Sequence, residues 1–247
     1  MSIWGKLIGG AAGFAIGGPI GLMVGVAAGH IADNVGSGGR SRRRRLPRSA
    51  KSKQQIFAIA LIVLAAKMAK ADGQVTRDEV DAFKRLFKVP QEDMKAVGRI
   101  FNKSASDADG FEPYAKQVAE VFAEHQDVLE EFLGALMHIA LADGHVHPEE
   151  RRFLREVADI FGFDDEHFER VTAQHGASEA DDPYGILGIS MNATDDEVKS
   201  AYRALVRANH PDHLIAEGVP EEVVNLATEK LATINDAYAR IERQRGL

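Results

Sequence analysis

The chain has 247 residues, 45% of them apolar and 27% charged, the composition of a folded protein and not of a disordered or fibrous one. It contains no cysteine, which excludes disulfides, thiolate metal sites and cysteine nucleophiles. It also carries no phosphate-binding loop or nucleophile constellation, so neither an enzyme activity nor a cofactor is expected. The formal net charge of −7 hides a segregation: residues 40–53 hold eight positive charges and no negative one, residues 54–180 hold 14 basic against 24 acidic residues, and the remainder from Asp181 holds 7 against 12.

From Leu7 to Gly29 there are 23 residues without a charge. As a helix rising about 1.5 Å per residue, such a stretch reaches roughly 34 Å, slightly more than the hydrocarbon core of a bilayer. Glycine stands at every fourth position, Gly5, Gly9, Gly13, Gly17, Gly21, Gly25 and Gly29, which on a helix makes one groove without side chains. In water so many glycines would cost about 1 kcal/mol each relative to alanine. In lipid, unpaired backbone is costlier still, and the groove lets a second helix approach closely. Residues 1–33 are therefore expected to form a transmembrane anchor kinked at Pro19, with Gly9, Gly13, Gly17, Gly21 and Gly25 as a dimerisation face for a second copy. A flexible leader would not need the regular period, and a cleaved signal peptide would carry its positive charges before the apolar stretch.

Residues 34–53 read as a basic juxtamembrane linker. Arg40, Arg42, Arg43, Arg44, Arg45, Arg48, Lys51 and Lys53 follow the span and only Lys6 precedes it. The positive-inside rule then leaves the short N-terminus outside and the soluble body in the cytoplasm, with Trp4 at the outer interface. Beside a span these charges serve topology and contact with anionic lipid, and nucleic acid is not expected as a partner.

Residues 54–175 read as an all-helical domain. Ile56 to Leu64 is an apolar run too short to cross a bilayer, hence a buried core helix. Ala69-Lys70-Ala71-Asp72-Gly73-Gln74-Val75 recurs 71 residues later as Ala140-Leu141-Ala142-Asp143-Gly144-His145-Val146, and Glu79 recurs as Glu150. Each copy is expected to end one helix at its glycine and start another, through a Thr76/Glu79 capping box in the first and Pro148 in the second. The pattern resembles the TerB-like (tellurite-resistance) helical domains, and the resemblance implies Asp72, Glu79, Asp143 and Glu150 as metal-site candidates. The same residues serve equally well as turn formers and helix caps. Neither turn fits an EF-hand loop, because Met68 and Lys70, or Ile139 and Leu141, would stand where oxygen ligands are needed.

Residues 176–181 form a polar linker, and 182–247 the last domain. Thr194-Asp195-Asp196-Glu197 is a capping box with acid in the first turn. Its helix is expected from Asp195 to about Asn209, burying Val198, Ala201, Tyr202 and Leu205 and exposing Lys199, Arg203 and Arg207 as one basic stripe. His210-Pro211-Asp212 then stops the helix in a rigid exposed corner, since proline lacks an amide hydrogen and restrains the residue before it. A return helix is expected from Glu221 to about Arg243, with Leu226, Leu231, Ile234, Ala237, Tyr238 and Ile241 facing its partner.

Such a hairpin, preceded by Tyr184-Gly185-Ile186-Leu187-Gly188 and by Ala201-Tyr202-Arg203-Ala204-Leu205, and followed by Ile234-Asn235-Asp236-Ala237-Tyr238, looks like a J-domain. With the glycine-rich span and the TerB-like middle, the chain resembles the DjlA-like, membrane-anchored DnaJ-family co-chaperones. The resemblance implies an all-α protein held by a single span in the bacterial inner membrane, in contact with its lipids. It also implies that the J-domain docks on a DnaK-type chaperone ATPase and stimulates its hydrolysis, with His210, Pro211, Asp212, Lys199, Arg203 and Arg207 as the partner-binding residues. Two departures stand out: His213 replaces the usual lysine or arginine beside the tripeptide, and no zinc-binding cysteine module or Gly/Phe-rich region is present. A membrane-attached scaffold or stress- and metal-responsive protein, acting mainly through the TerB-like domain, is the alternative.

Overall fold

The computed structural model describes residues 18–21, 50–71, 94–106, 110–175 and 182–246, with single positions at 81, 84, 89 and 91. Every regular element among the described residues is helical: α1 (Ala50–Ala71), α2 (Met94–Ser106), α3 (Glu112–Val121), α4 (Gln126–Ala140), a 3-10 turn (Leu141–Asp143), α5 (Pro148–Phe161), α6 (Asp165–Gln174), α7 (Pro183–Leu187), α8 (Asp195–Ala208), α9 (Pro211–Ala216) and α10 (Glu221–Arg245). The fold is all-α, as the sequence pattern requires.

α1 is the axis of the middle domain. Every residue from Phe57 to Ala69 is buried, with Lys67 the most exposed at 8%. A helix apolar on all sides must be wrapped by others, and α2, α3, α4 and α5 wrap this one. Lys67 tolerates burial by laying its ammonium 5.1 Å from the centre of the Tyr114 ring. Aromatic rings tie the bundle together: Phe132 of α4 meets Phe57 at 4.8 Å and Phe161 at 5.7 Å, and Phe57 meets Phe122 edge-on at 6.0 Å. Among the described residues no helix is long and apolar enough to cross a membrane.

The second copy of the repeated turn folds as its residues demand. Gly144 takes φ 94°, Pro148 opens α5, and the Glu150 side chain accepts a 2.9 Å hydrogen bond from the His147 amide. Asp72, Glu79 and most of the first copy lie outside the described residues, as do Gly9, Gly13, Gly17 and Gly25 of the span. Of the span, residues 18–21 form one helical turn whose Ile20 is buried and whose Ile20 amide donates to Gln117 Oε1 of α3 at 2.9 Å. Insertion of this segment in a bilayer would exchange that contact for lipid. The basic collar ends inside a helix, because α1 begins at Ala50 and carries Lys51 and Lys53.

The last domain is a hairpin of α8 and α10 closed by α7. Its own core is Tyr184, Ile186, Leu187, Val198, Leu205, Ile234, Ala237 and Ile241, and Tyr202 stacks on Tyr238 at 4.0 Å. Arg245 pins the open end, donating to Tyr184 Oη at 2.9 Å, Ala193 O at 2.6 Å and Met191 O at 2.8 Å. The other end of the hairpin belongs to a different core. Leu214, Val219, Val223, Val224, Leu226 and Ala227 are buried in one cluster with the middle-domain helices. Leu226, which helical spacing directs towards α8, therefore faces the middle domain instead; periodicity marks the buried side of a helix without saying what buries it.

Phe132 is fully buried between two rings, so Phe132→Ala should lower unfolding stability by about 3–5 kcal/mol, read by urea denaturation.

Candidate partner-docking site

α8 starts from a complete capping box: Glu197 N donates to Thr194 Oγ1 at 3.3 Å while Glu197 Oε2 accepts from Thr194 N at 2.6 Å. The bond from the Thr194 amide, with a second from the Thr194 hydroxyl at 2.9 Å, holds the Glu197 carboxyl below its ordinary range. The cap fixes where the helix begins, and so which residues of the next four turns face outward. Arg203 and Arg207 are exposed and Lys199 is half-exposed, with Arg203 Nε donating to Lys199 O at 3.1 Å. The basic stripe is in place.

The helix ends at Asn209, whose side chain turns back to Leu205 O at 2.8 Å. His210 then adopts extended backbone and caps the next helix, its Nδ1 accepting from the Asp212 amide at 3.2 Å. An accepting Nδ1 leaves the proton of the neutral ring on Nε2, facing away from the cap. Proline at the first helical position suits this geometry. The tripeptide is thus the start of a short helix, α9, and not only a corner. His210 and Asp212 are exposed and Pro211 half-buried.

His213, the next residue, does not stand free. Its Nε2 contacts Asp127 Oδ2 at the first turn of α4, in the middle domain. Asp127, Tyr202, Arg203, Arg207, His210, Asp212 and His213 line one cleft of about 830 Å³. The sequence-predicted binding residues other than Pro211 and Lys199 meet there, and Asp127 joins them from another domain.

A second cluster joins α10 to α4. Lys230 of α10 is buried and donates to Glu130 Oε1 at 3.1 Å and to Glu131 Oε1, both on α4. Glu130 Oε2 also receives Arg170 at 2.7 Å and faces His167 Nε2 at 2.8 Å. Burial alone would raise Glu130, but Lys230, the His167 hydrogen bond and Arg170 outweigh it and hold the carboxyl well below the usual range. Glu131 goes the other way, raised by burial beyond what Lys230 offsets, and its Oε2 has no hydrogen-bond partner. The Lys230 ammonium, which burial would discharge, is kept charged by the two carboxylates. Beside them the Gln174 amide of α6 donates to Ile186 O of α7 at 2.8 Å. Glu217, after α9, pairs with Lys53 at 3.2 Å and His125 at 3.0 Å.

Sequence reasoning missed Asp127, Glu130, Glu131 and Lys230. A signal existed: Lys230 stands four residues from both Leu226 and Ile234, on the face that helical spacing marks as buried. Of the metal candidates within the described residues, Asp143 accepts from the His145 amide at 3.0 Å and contacts His147 Nε2 at 3.1 Å, and these hydrogen bonds lower its carboxyl. Glu150 is the cap described above. Among the described residues no group of three or more ligating side chains gathers around a common point.

Three family models match the chain in order: the co-chaperone DjlA transmembrane domain over residues 1–46, tellurite resistance protein TerB over residues 58–173, and the DnaJ domain over residues 182–245. The chain is 30% identical to the co-chaperone protein DjlA of Photobacterium profundum, with 99% of each chain covered. It is 30% identical to that of Coxiella burnetii and 32% to that of Shewanella oneidensis, with 100% of each chain covered. The chain belongs to the DjlA family of co-chaperones. No solved structure matches it. As a DjlA-family chain it is a membrane-anchored bacterial J-domain co-chaperone with a TerB-like middle domain, and the tripeptide His210-Pro211-Asp212 lies in its DnaJ domain.

His175, at the end of α6, lies with its Nε2 against Gly134 of α4, where a Cβ would stand 2.3 Å from that nitrogen, and Nε2 has no hydrogen-bond partner. Burial first, then repulsion from Lys230, lowers its pKa from 6.5 to about 3, Glu130 opposing. The unfolded histidine takes up a proton below about pH 6.5 and the folded one does not until about pH 3, so stability is lost as pH falls through that window. His175→Gln should flatten the dependence by up to one proton between pH 6 and 4, measured by urea denaturation at each pH.

Proposed function

We propose that the chain docks its J-domain on a DnaK-type chaperone and stimulates ATP hydrolysis by that partner. The observation that carries this reading is the exposed His210-Pro211-Asp212 helix start, beside the exposed Arg203 and Arg207 in a single cleft. The J-domain resemblance implies a docking surface on the partner that is acidic. The arginines then steer encounter in a salt-dependent manner. Asp212 accepts a charge-assisted hydrogen bond from a cation of the partner, and the capping bond from its amide to His210 fixes the backbone that presents it. A docked J-domain changes the partner's turnover only through contacts that differ between the partner's two states, which is the task of the tripeptide. The ATPase machinery belongs to the partner.

The charge asymmetry about the span supports a single pass with the N-terminus outside and the domains on the cytoplasmic side. The glycine stripe supports a homodimer through the span.

His210→Gln or Asp212→Asn should leave the far-UV spectrum of the protein unchanged and abolish stimulation of the chaperone's steady-state ATP turnover. Full stimulation by either variant refutes the assignment. Replacing Gly9, Gly13 and Gly17 by leucine should weaken crosslinking of the protein to itself in membranes. Unchanged crosslinking removes the span as the dimer contact.

A further inference from the structure

A J-domain tethered only by a linker would present its switch in many orientations. Here the tip half of the hairpin shares a core with the TerB-like domain through Leu214, Val219, Val223, Val224, Leu226 and Ala227. At its centre the buried Lys230 is neutralised by Glu130 and Glu131 of the other domain. A buried ammonium left without its carboxylates is strongly unfavourable, so any arrangement that keeps the core shared but shifts Lys230 off Glu130 and Glu131 is opposed. Gln174 holds the start of the J-domain through Ile186 O, and Glu217 is held by Lys53 and His125. These contacts use α7, α9 and α10. They leave Arg203, Arg207, His210 and Asp212 exposed, and they bring Asp127 to the edge of the same cleft, against His213.

We propose that the face made by α4 and α6 of the TerB-like domain is a seat for the chain's own J-domain, from which the J-domain meets its chaperone partner, with Asp127 as the far wall of the docking cleft. The match is specific: two carboxylates on the seat receive the one buried lysine of α10, and the carboxylate at the rim contacts the His213 ring. The seat pre-organises the switch, so the partner meets one orientation and loses less conformational freedom on docking. The consequence for activation rests on the J-domain reading above; the seat itself does not.

The chain has no native cysteine, so spin labels at Glu166→Cys and Asp236→Cys report the distance between the two domains in the full-length protein in detergent micelles. One narrow distance distribution is expected, broadened by Glu131→Arg, which sets like charge against Lys230. The same substitution should raise the concentration of the protein that gives half-maximal stimulation of the chaperone about fivefold, with the plateau unchanged. His213→Ala, at an exposed position that cannot unfold the core, should raise it about twofold. A broad distribution in the unsubstituted protein overturns the seat, and half-maximal stimulation at the same or a lower concentration in both variants overturns its role in docking. Should the unsubstituted protein fail to stimulate at any concentration, the chaperone reading falls with its consequence for docking, while the distance measurement still decides the seat.

Discussion

An ammonium group that leaves water needs compensating charge or dipoles, and Lys230 finds two carboxylates at the join of two domains. Its two carboxylates sit on consecutive residues of α4, and Glu130 is itself braced by Arg170 and His167. Glu131 has only Lys230 against the cost of burial and is raised, with Glu130 and Asp127 adding repulsion, whereas Glu130, shared by Lys230, His167 and Arg170, is depressed. Such clusters add little net stability compared with an apolar contact, but they punish misalignment severely. Their contribution is therefore to orientation. The apolar residues around Lys230 hold the domains together, and the charges determine how.

That orientation bears on the switch. The J-domain hairpin is stiffened at its open end by Arg245 and at its middle by the Tyr202–Tyr238 stack. At its tip, proline removes one backbone donor and fixes one dihedral, and the His210 ring satisfies the Asp212 amide. The backbone that carries Asp212 is thus fixed locally. His213 extends the same logic across the domain boundary to Asp127. The residue that departs from the family pattern beside the tripeptide is the one that touches the neighbouring domain, so the lost fixed charge is matched by a contact.

Much of this was legible beforehand. The capping box at Thr194, the stop at Pro211, the left-handed Gly144 and the buried run of α1 follow from local chemistry, because each depends on residues within a turn of one another. Leu226 shows where that reasoning ends. Helical spacing placed it on a buried face, and only the assembled chain shows that the TerB-like domain covers it. Asp127 and Glu131 were invisible for the same reason: their partners are 86 and 99 residues away, and no local pattern encodes such a pairing. The acidic turns illustrate the converse, since Asp143 and Glu150 take the turn and cap roles that their local spacing offers, accepting from neighbouring amides.

The central claim is that the tip of this hairpin acts on the nucleotide state of a chaperone. Single-turnover hydrolysis of ATP preloaded on a purified DnaK-type chaperone measures that step without contributions from nucleotide exchange. Addition of the full-length protein in micelles should accelerate the decay of bound ATP, saturably and less steeply at high salt. A decay rate indifferent to the protein at every concentration would contradict the account.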